Sequence, residues 1–328
     1  MRRLLALVPN RKKMRRLALD KGMHALAGMA DLLPRAQQRR ATFTLVEDVE
    51  YARVDGLGLC LDVLQPHGPG PHPVLIYLHG GAFAIGSKRT HRAIAAAYAA
   101  QGYLVCNVDY RLAPKHPFPA ALEDACAAWQ WVADHAAQYG GDPQRMALAG
   151  ESAGANLALA VTLACCTHRP EPYAAPLFTR GLRPVAALLY CGFLQVSHPE
   201  RYRREGVSAL SAGIASDAAA SYLGAAAAQP QAEHALADPL CVIEAMAHTP
   251  ELPPLLLVAG LADPVAADTQ RLERALQRLH APHQALYYAG ETHAFHVMFW
   301  RAKAKQCWAD SFAFMQRHLR SVPSPVAP

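Results

Sequence analysis

The chain has 328 residues, 52% of them hydrophobic, and a formal net charge of +6, enough apolar material for one large core with a modest appendage. Eight cysteines, including the adjacent Cys165-Cys166, show neither the density of a disulfide framework nor Cys-x-x-Cys spacing, which points to a reducing cytoplasm and to no structural metal. No apolar run reaches the ~20 residues of a membrane span, and no phosphate-loop, dinucleotide or zinc-protease motif occurs, so no cofactor is expected.

The charge is concentrated at the start. Residues 1–40 hold 11 Lys/Arg against 2 Asp/Glu, a net of +9, which leaves the rest of the chain at −3. The leading Leu4-Leu5-Ala6-Leu7-Val8 is shorter than a secretory core and is followed by more basic residues. From Arg11 to Leu33 the pattern predicts a helix ended by Pro34, with Leu19, Met23, Leu26, Ala30 and Leu33 on one stripe. Such a helix can lay its stripe over an active site as a cap, with its basic face in solvent, or it can lie weakly on a membrane surface. Nucleic-acid binding is not expected, because no aromatic or glycine-basic platform accompanies the charge.

Strands are predicted at Phe43 to Val49 and Leu57 to Leu64, paired around Asp55-Gly56, and then at Val74 to Leu78. That third strand runs directly into His79-Gly80-Gly81-Ala82-Phe83. A glycine pair leaving a buried strand exposes backbone N–H groups that can hold an oxyanion. Gly80 opens this turn, and Gly81 and Ala82 are its candidate donors. Strands at Tyr103 to Tyr110, Arg145 to Ala149, Val185 to Tyr190, Leu255 to Gly260 and Gln284 to Tyr288 alternate with helices near 88–100, 119–138, 155–164, 265–280 and 299–319, the pattern of a mostly parallel eight-stranded sheet covered on both faces. Residues 191–240 break the rhythm and are expected to complete the cap, and Ala225 to Ala228 reads as a helix end.

Gly150-Glu151-Ser152-Ala153-Gly154 sits between the fifth strand and its helix, with serine at the bend. A turn this sharp needs small residues two before and two after the serine, and it raises the hydroxyl above the sheet at the positive end of the helix. Ser152 is therefore the candidate nucleophile, and the N–H of Ala153 is a third oxyanion donor. A serine hydroxyl needs a base and an orienting acid, which follow in the order acid, then histidine. Asp263 lies just beyond the strand Leu255 to Gly260 and is the candidate acid, although the residue before Pro264 can equally cap a helix; Asp268, on that helix, is expected to be solvated. Among 16 histidines, His293 follows the last strand and is the candidate base, with His296 its rival.

These motifs resemble the hormone-sensitive-lipase-like branch of α/β-hydrolase esterases. That branch carries His-Gly-Gly-Gly where this chain has His79-Gly80-Gly81-Ala82, and Gly-Asp-Ser-Ala-Gly where this chain has Glu151 in place of Asp. The likeness continues through Asp109 to Pro114, His116 to Ala121, Gly141-Asp142-Pro143, Asp263-Pro264-Val265 and His293-Ala294-Phe295, and spans residues of about 70 to 300. It implies an α/β-hydrolase fold, a triad of Ser152, Asp263 and His293, and oxyanion donors from Gly81, Ala82 and Ala153. Ala82 and Ala294 stand where the branch has glycine.

The expected activity is that of a serine carboxylesterase acting on a small-molecule ester. An amidase or lactonase would use the same groups, and a non-catalytic receptor could share the fold. The oligomeric state is left open, a homodimer included.

Overall fold

The computed structural model describes residues 11–31, 34–248 and 250–319. Helices α1 (Arg11–Asp31) and α2 (Pro34–Arg40) lead into the hairpin β1 (Phe43–Val54) and β2 (Leu57–Pro66). Asp55 and Gly56 both take positive φ at its tip, as a tight two-residue hairpin turn requires. There follow β3 (His72–Leu78), α3 (Arg92–Ala99), β4 (Leu104–Val108), α4 (Ala120–His135), β5 (Gly141–Glu151), α5 (Ala153–Cys166), α6 (Ala175–Arg180) and β6 (Ala186–Tyr190). The chain continues with α7 (Arg201–Arg204), α8 (Ala209–Leu223), α9 (Pro239–Glu244), β7 (Leu255–Gly260), α10 (Ala266–Arg278), β8 (His283–Tyr288) and α11 (Ala302–Leu319). All eight expected strands are present.

They form one sheet in the order β1-β2-β4-β3-β5-β6-β7-β8, antiparallel at the β1, β2 and β4 edge and parallel from there on. The parallel strands β6 and β7, the 73–78 stretch of β3 and the 146–150 stretch of β5 are continuous apolar runs because both faces are covered. One face packs on α3 and α11, through Tyr98, Trp308 and Phe314; the other packs on α4, α5 and α10, through Trp129, Leu157 and Leu272. Every residue of α5 is buried, which is why its sequence, Ala-Gly-Ala-Asn-Leu-Ala-Leu-Ala, has no polar stripe.

Two expectations need correction. Pro34 does not simply end the first helix; it opens a second one, where its missing N–H and fixed φ suit a first-turn position. Asp268 is not solvated but fully buried. It accepts hydrogen bonds from the N–H groups of Leu194 and Gln195, at 3.0 and 3.1 Å, and from Tyr202, and it pairs with Arg201 at 2.8 Å. Asp238 does the same for Val196 and Ser197. Two buried carboxylates thus pin the segment that leaves β6, and Asp268→Ala is expected to cost ~3–5 kcal/mol, as breaking a buried ion pair does. A thermal melt reads this as a fall in Tm of roughly 4–7 °C for a chain of this size.

Two side chains of the expected α1 stripe are described. Leu19 is half exposed and Met23 partly buried, while the side chains of Leu26, Ala30 and Leu33 lie outside the described residues. Among the described residues, two polar contacts tie the helix to the body: Asp20 accepts from the N–H of Gly86 at 2.9 Å, and His24 Nε2 lies 3.0 Å from Ser87 Oγ. Among the described residues, no helix is long and apolar enough to cross a membrane.

Candidate active site

Strand register assembles the site. Leu78 pairs with Gly150 and Glu151 with Tyr190, so the turn after β3 and the bend after β5 leave the sheet side by side. Gly260 pairs with Tyr288, which brings the loops after β7 and β8 together at the same carboxyl edge. Side chains 141 and 30 residues apart in sequence meet there without any long-range motif recording it.

Ser152 has φ 53° and ψ −114°, a strained conformation for a residue with a side chain. The bend is held by its N–H donating to the Tyr190 carbonyl at 2.8 Å. Gly150 and Gly154 are required around it: a Cβ on either would collide with backbone, that of Gly154 for the first and of Leu78 and His79 for the second. Ser152 Oγ lies 3.0 Å from His293 Nε2, and His293 Nδ1 lies 3.0 and 2.9 Å from the two Asp263 oxygens. The three expected residues therefore form one hydrogen-bonded relay. Asp263 also accepts from the N–H of Val265 at 2.9 Å, so the turn role and the orienting geometry coexist in one carboxylate.

Burial by itself would lower the His293 pKa, but the Asp263 hydrogen bonds and charge, with Glu151 beyond, outweigh it and raise the imidazole above its ordinary 6.5. A base must be neutral to take a proton, so if His293 is the base, activity rises with pH through that raised pKa. The acid limb of kcat/KM is expected to have its midpoint above 6.5, and Asp263→Asn, which removes the charge, should move it down.

On the other side of Ser152, Gly81 turns the chain with φ 121°, followed by Ala82 at 54° and Phe83 at 59°. A Cβ at Gly81 would strike the Ile85 carbonyl. Ala82 and Ala294 both occupy the left-handed region that glycine favours, which explains why the related motifs carry glycine at these two places. Gly81 and Ala82 line a cavity of about 350 Å³ together with Arg15 and Leu19 of α1 and Ile214 and Ala218 of α8. Ala153 opens α5, where the first backbone N–H groups have no acceptor within the helix.

A second layer escaped the sequence reading. Glu151, directly before Ser152, is buried, with Oε1 accepting from His91 Nε2 at 2.9 Å and Oε2 lying 2.8 Å from His296 Nε2. Gly80 packs on the same carboxylate, where a Cβ would stand 2.8 Å from Oε1. Burial opposes its ionisation, but the two imidazoles hold its pKa well below the usual carboxylate range. His91 stacks on His79, which stacks on Tyr110, and burial and the nearby His91 push the His79 pKa down to about 3. His293, not His296, lies within hydrogen-bond distance of Ser152; His296 is buried beside Glu151 and stacks on Tyr190. The only sequence signal was an acid inside a buried turn motif.

A strained serine on a strand-to-helix bend, with an Asp-paired histidine from the last two loops of a mostly parallel sheet, is the arrangement of α/β hydrolases. The chain belongs to the alpha/beta hydrolase fold family, which it matches over residues 75–297. It is 32% identical to an acetyl-hydrolase of Streptomyces hygroscopicus over 87% of this chain and 82% of that protein. A shorter stretch is 50% identical to the carboxylesterase NlhH of Mycobacterium tuberculosis, over 26% of this chain and 27% of that protein. Among solved structures, a hyperthermophilic esterase from the archaeon Pyrobaculum calidifontis superposes with a TM-score of 0.74 at 26% identity, covering 93% of each chain.

Proposed function

We propose that this protein is a serine carboxylesterase that hydrolyses short- to medium-chain acyl esters. The relay Ser152–His293–Asp263 is the observation that carries the reading, and relatives named as carboxylesterase, esterase and acetyl-hydrolase support it. Ser152 Oγ attacks the ester carbonyl while His293 Nε2 takes its proton. The N–H groups of Gly81, Ala82 and Ala153 receive the oxyanion, with Gly80 shaping the turn. His293 then protonates the departing alcohol, and Asp263 holds the imidazole in the tautomer this needs. Water, activated by the same histidine, attacks the acyl-enzyme and returns Ser152. Losing one oxyanion donor typically costs ~10²–10³ in rate, so the turn geometry contributes alongside the triad.

Residues 1–40 and 191–240 act in this reading as a cap over residues 41–328. Asp20 and His24 grip Gly86 and Ser87, just past the oxyanion turn, and Ile214 and Ala218 of α8 line the cavity from the other side. The Ala82 methyl beside the oxyanion turn favours acyl chains of about two to eight carbons. Each buried CH₂ is worth about 0.8 kcal/mol, so kcat/KM across nitrophenyl acetate to palmitate should climb and then reach an early maximum. A steady climb to palmitate would contradict a closed pocket. Deleting residues 1–40 should weaken activity and raise KM more for longer esters. α1 also exposes Met14, Leu17, Leu19 and Met29 beside basic residues, which supports weak contact with an anionic membrane surface. If the truncated protein kept its chain-length profile and lost only vesicle binding, the helix would be a membrane contact rather than a cap. Eight free cysteines support a cytoplasmic setting.

A further inference from the structure

Cys191 carries a buried thiol in the floor of the site for which the proposed hydrolysis has no use. It follows β6 directly, is only 2% exposed, and is held at φ 42° with its N–H donating to the Val258 carbonyl at 2.7 Å. A side-chain residue kept in that conformation beside a reactive centre is strained. Its Sγ, an Asp263 carboxylate oxygen and a His293 ring nitrogen all lie within 4.8 Å of one another, and no other group of three such side chains occurs among the described residues.

We propose that Cys191, Asp263 and His293 form a zinc site whose occupancy switches the hydrolase off. One sulfur, one oxygen and one imidazole nitrogen are a donor set that suits Zn²⁺ and discriminates against Mg²⁺ and Ca²⁺, which prefer oxygen alone. Three atoms no more than 4.8 Å apart leave a central ion at most about 2.8 Å from each, against roughly 2.0–2.3 Å in zinc sites. Side-chain rotations of under an ångström close that gap. Water takes the fourth position. The ion enters past His293, whose side chain is 38% exposed, since Asp263 and Cys191 are covered.

Binding displaces the Cys191 thiol proton to solvent. It also takes the Nδ1 position that His293 uses toward Asp263, so the imidazole proton moves to Nε2. That is the atom 3.0 Å from Ser152 Oγ, and once protonated it can no longer accept the serine proton. The inhibition rests on the serine-esterase reading; the binding does not.

The two parts are tested separately, with Co²⁺ as the spectroscopic stand-in and Zn²⁺ as the inhibitor. Full-length protein titrated with Co²⁺ should develop a near-ultraviolet thiolate-to-cobalt band, and Ser152→Ala should develop it equally. Cys191→Ala and Cys191→Ser should both lack it. Hydrolysis of nitrophenyl acetate should be inhibited by Zn²⁺ and restored by EDTA, and each Cys191 variant, normalised to its own metal-free rate, should need at least ten times more Zn²⁺. No thiolate band in the parent, or the same zinc sensitivity in both Cys191 variants, would overturn the proposal. A band without inhibition would leave the site standing as a binding site and count against the catalytic role of His293.

Discussion

Ser152→Ala is expected to remove nearly all esterase activity, by at least ~10³-fold, while leaving Tm within a degree or two of the parent. The size of the effect follows from the proposed chemistry: without Oγ no acyl-enzyme forms, and only the oxyanion donors and substrate binding remain to assist water. The small effect on folding follows from the structure. The bend is set by the Ser152 N–H to Tyr190 and by glycines at 150 and 154, none of which involves the hydroxyl. Alanine is tolerated at comparable positive φ at Ala82 and Ala294 in this same chain. Circular dichroism and a nitrophenyl acetate assay on one preparation measure both halves. Residual activity above about a tenth of the parent would mean that another group attacks the ester.

The second large effect separates two histidines three positions apart. His293→Ala should lower kcat by several orders of magnitude with KM little changed, because the base acts in the transition state. His296→Ala should cost much less, about tenfold in kcat. It leaves the Ser152–His293–Asp263 relay whole and removes only one of the two imidazoles that hold Glu151 beneath the bend. The cost of His296→Ala should appear partly as lost stability, since the Glu151 carboxylate remains buried with one partner fewer. The reverse ranking would show that the relay geometry does not report the working base.

Much of the fold was legible because parallel strands buried on both faces read as unbroken apolar runs, and Val74 to Leu78 and Leu255 to Gly260 could be bounded almost to the residue. The triad was legible for a different reason. Ser152 follows β5 directly, and Asp263 and His293 lie on the loops just past the ends of β7 and β8, so the strand ends mark the one edge where they can meet. Asp268 was misread because its partners, Leu194, Gln195 and Arg201, stand about 70 residues away, and nothing local distinguishes a buried carboxylate on a helix from a solvated one. The polar anchors of α1 were missed for a related reason: Asp20 and His24 meet Gly86 and Ser87 more than 60 residues on, and apolar periodicity is blind to such contacts. His91 and Glu151 carry no mutual signal in the sequence. Their contact exists because β3 and β5 are neighbours, an order that pairing creates and the chain does not spell out.

The most direct test of the serine mechanism is covalent. The full-length protein treated with one equivalent of a serine-directed organophosphonate and digested for mass spectrometry should carry a single label, on the peptide containing Ser152, with activity lost in proportion to labelling. A label on any other residue, or full labelling of Ser152 with activity retained, would contradict the account.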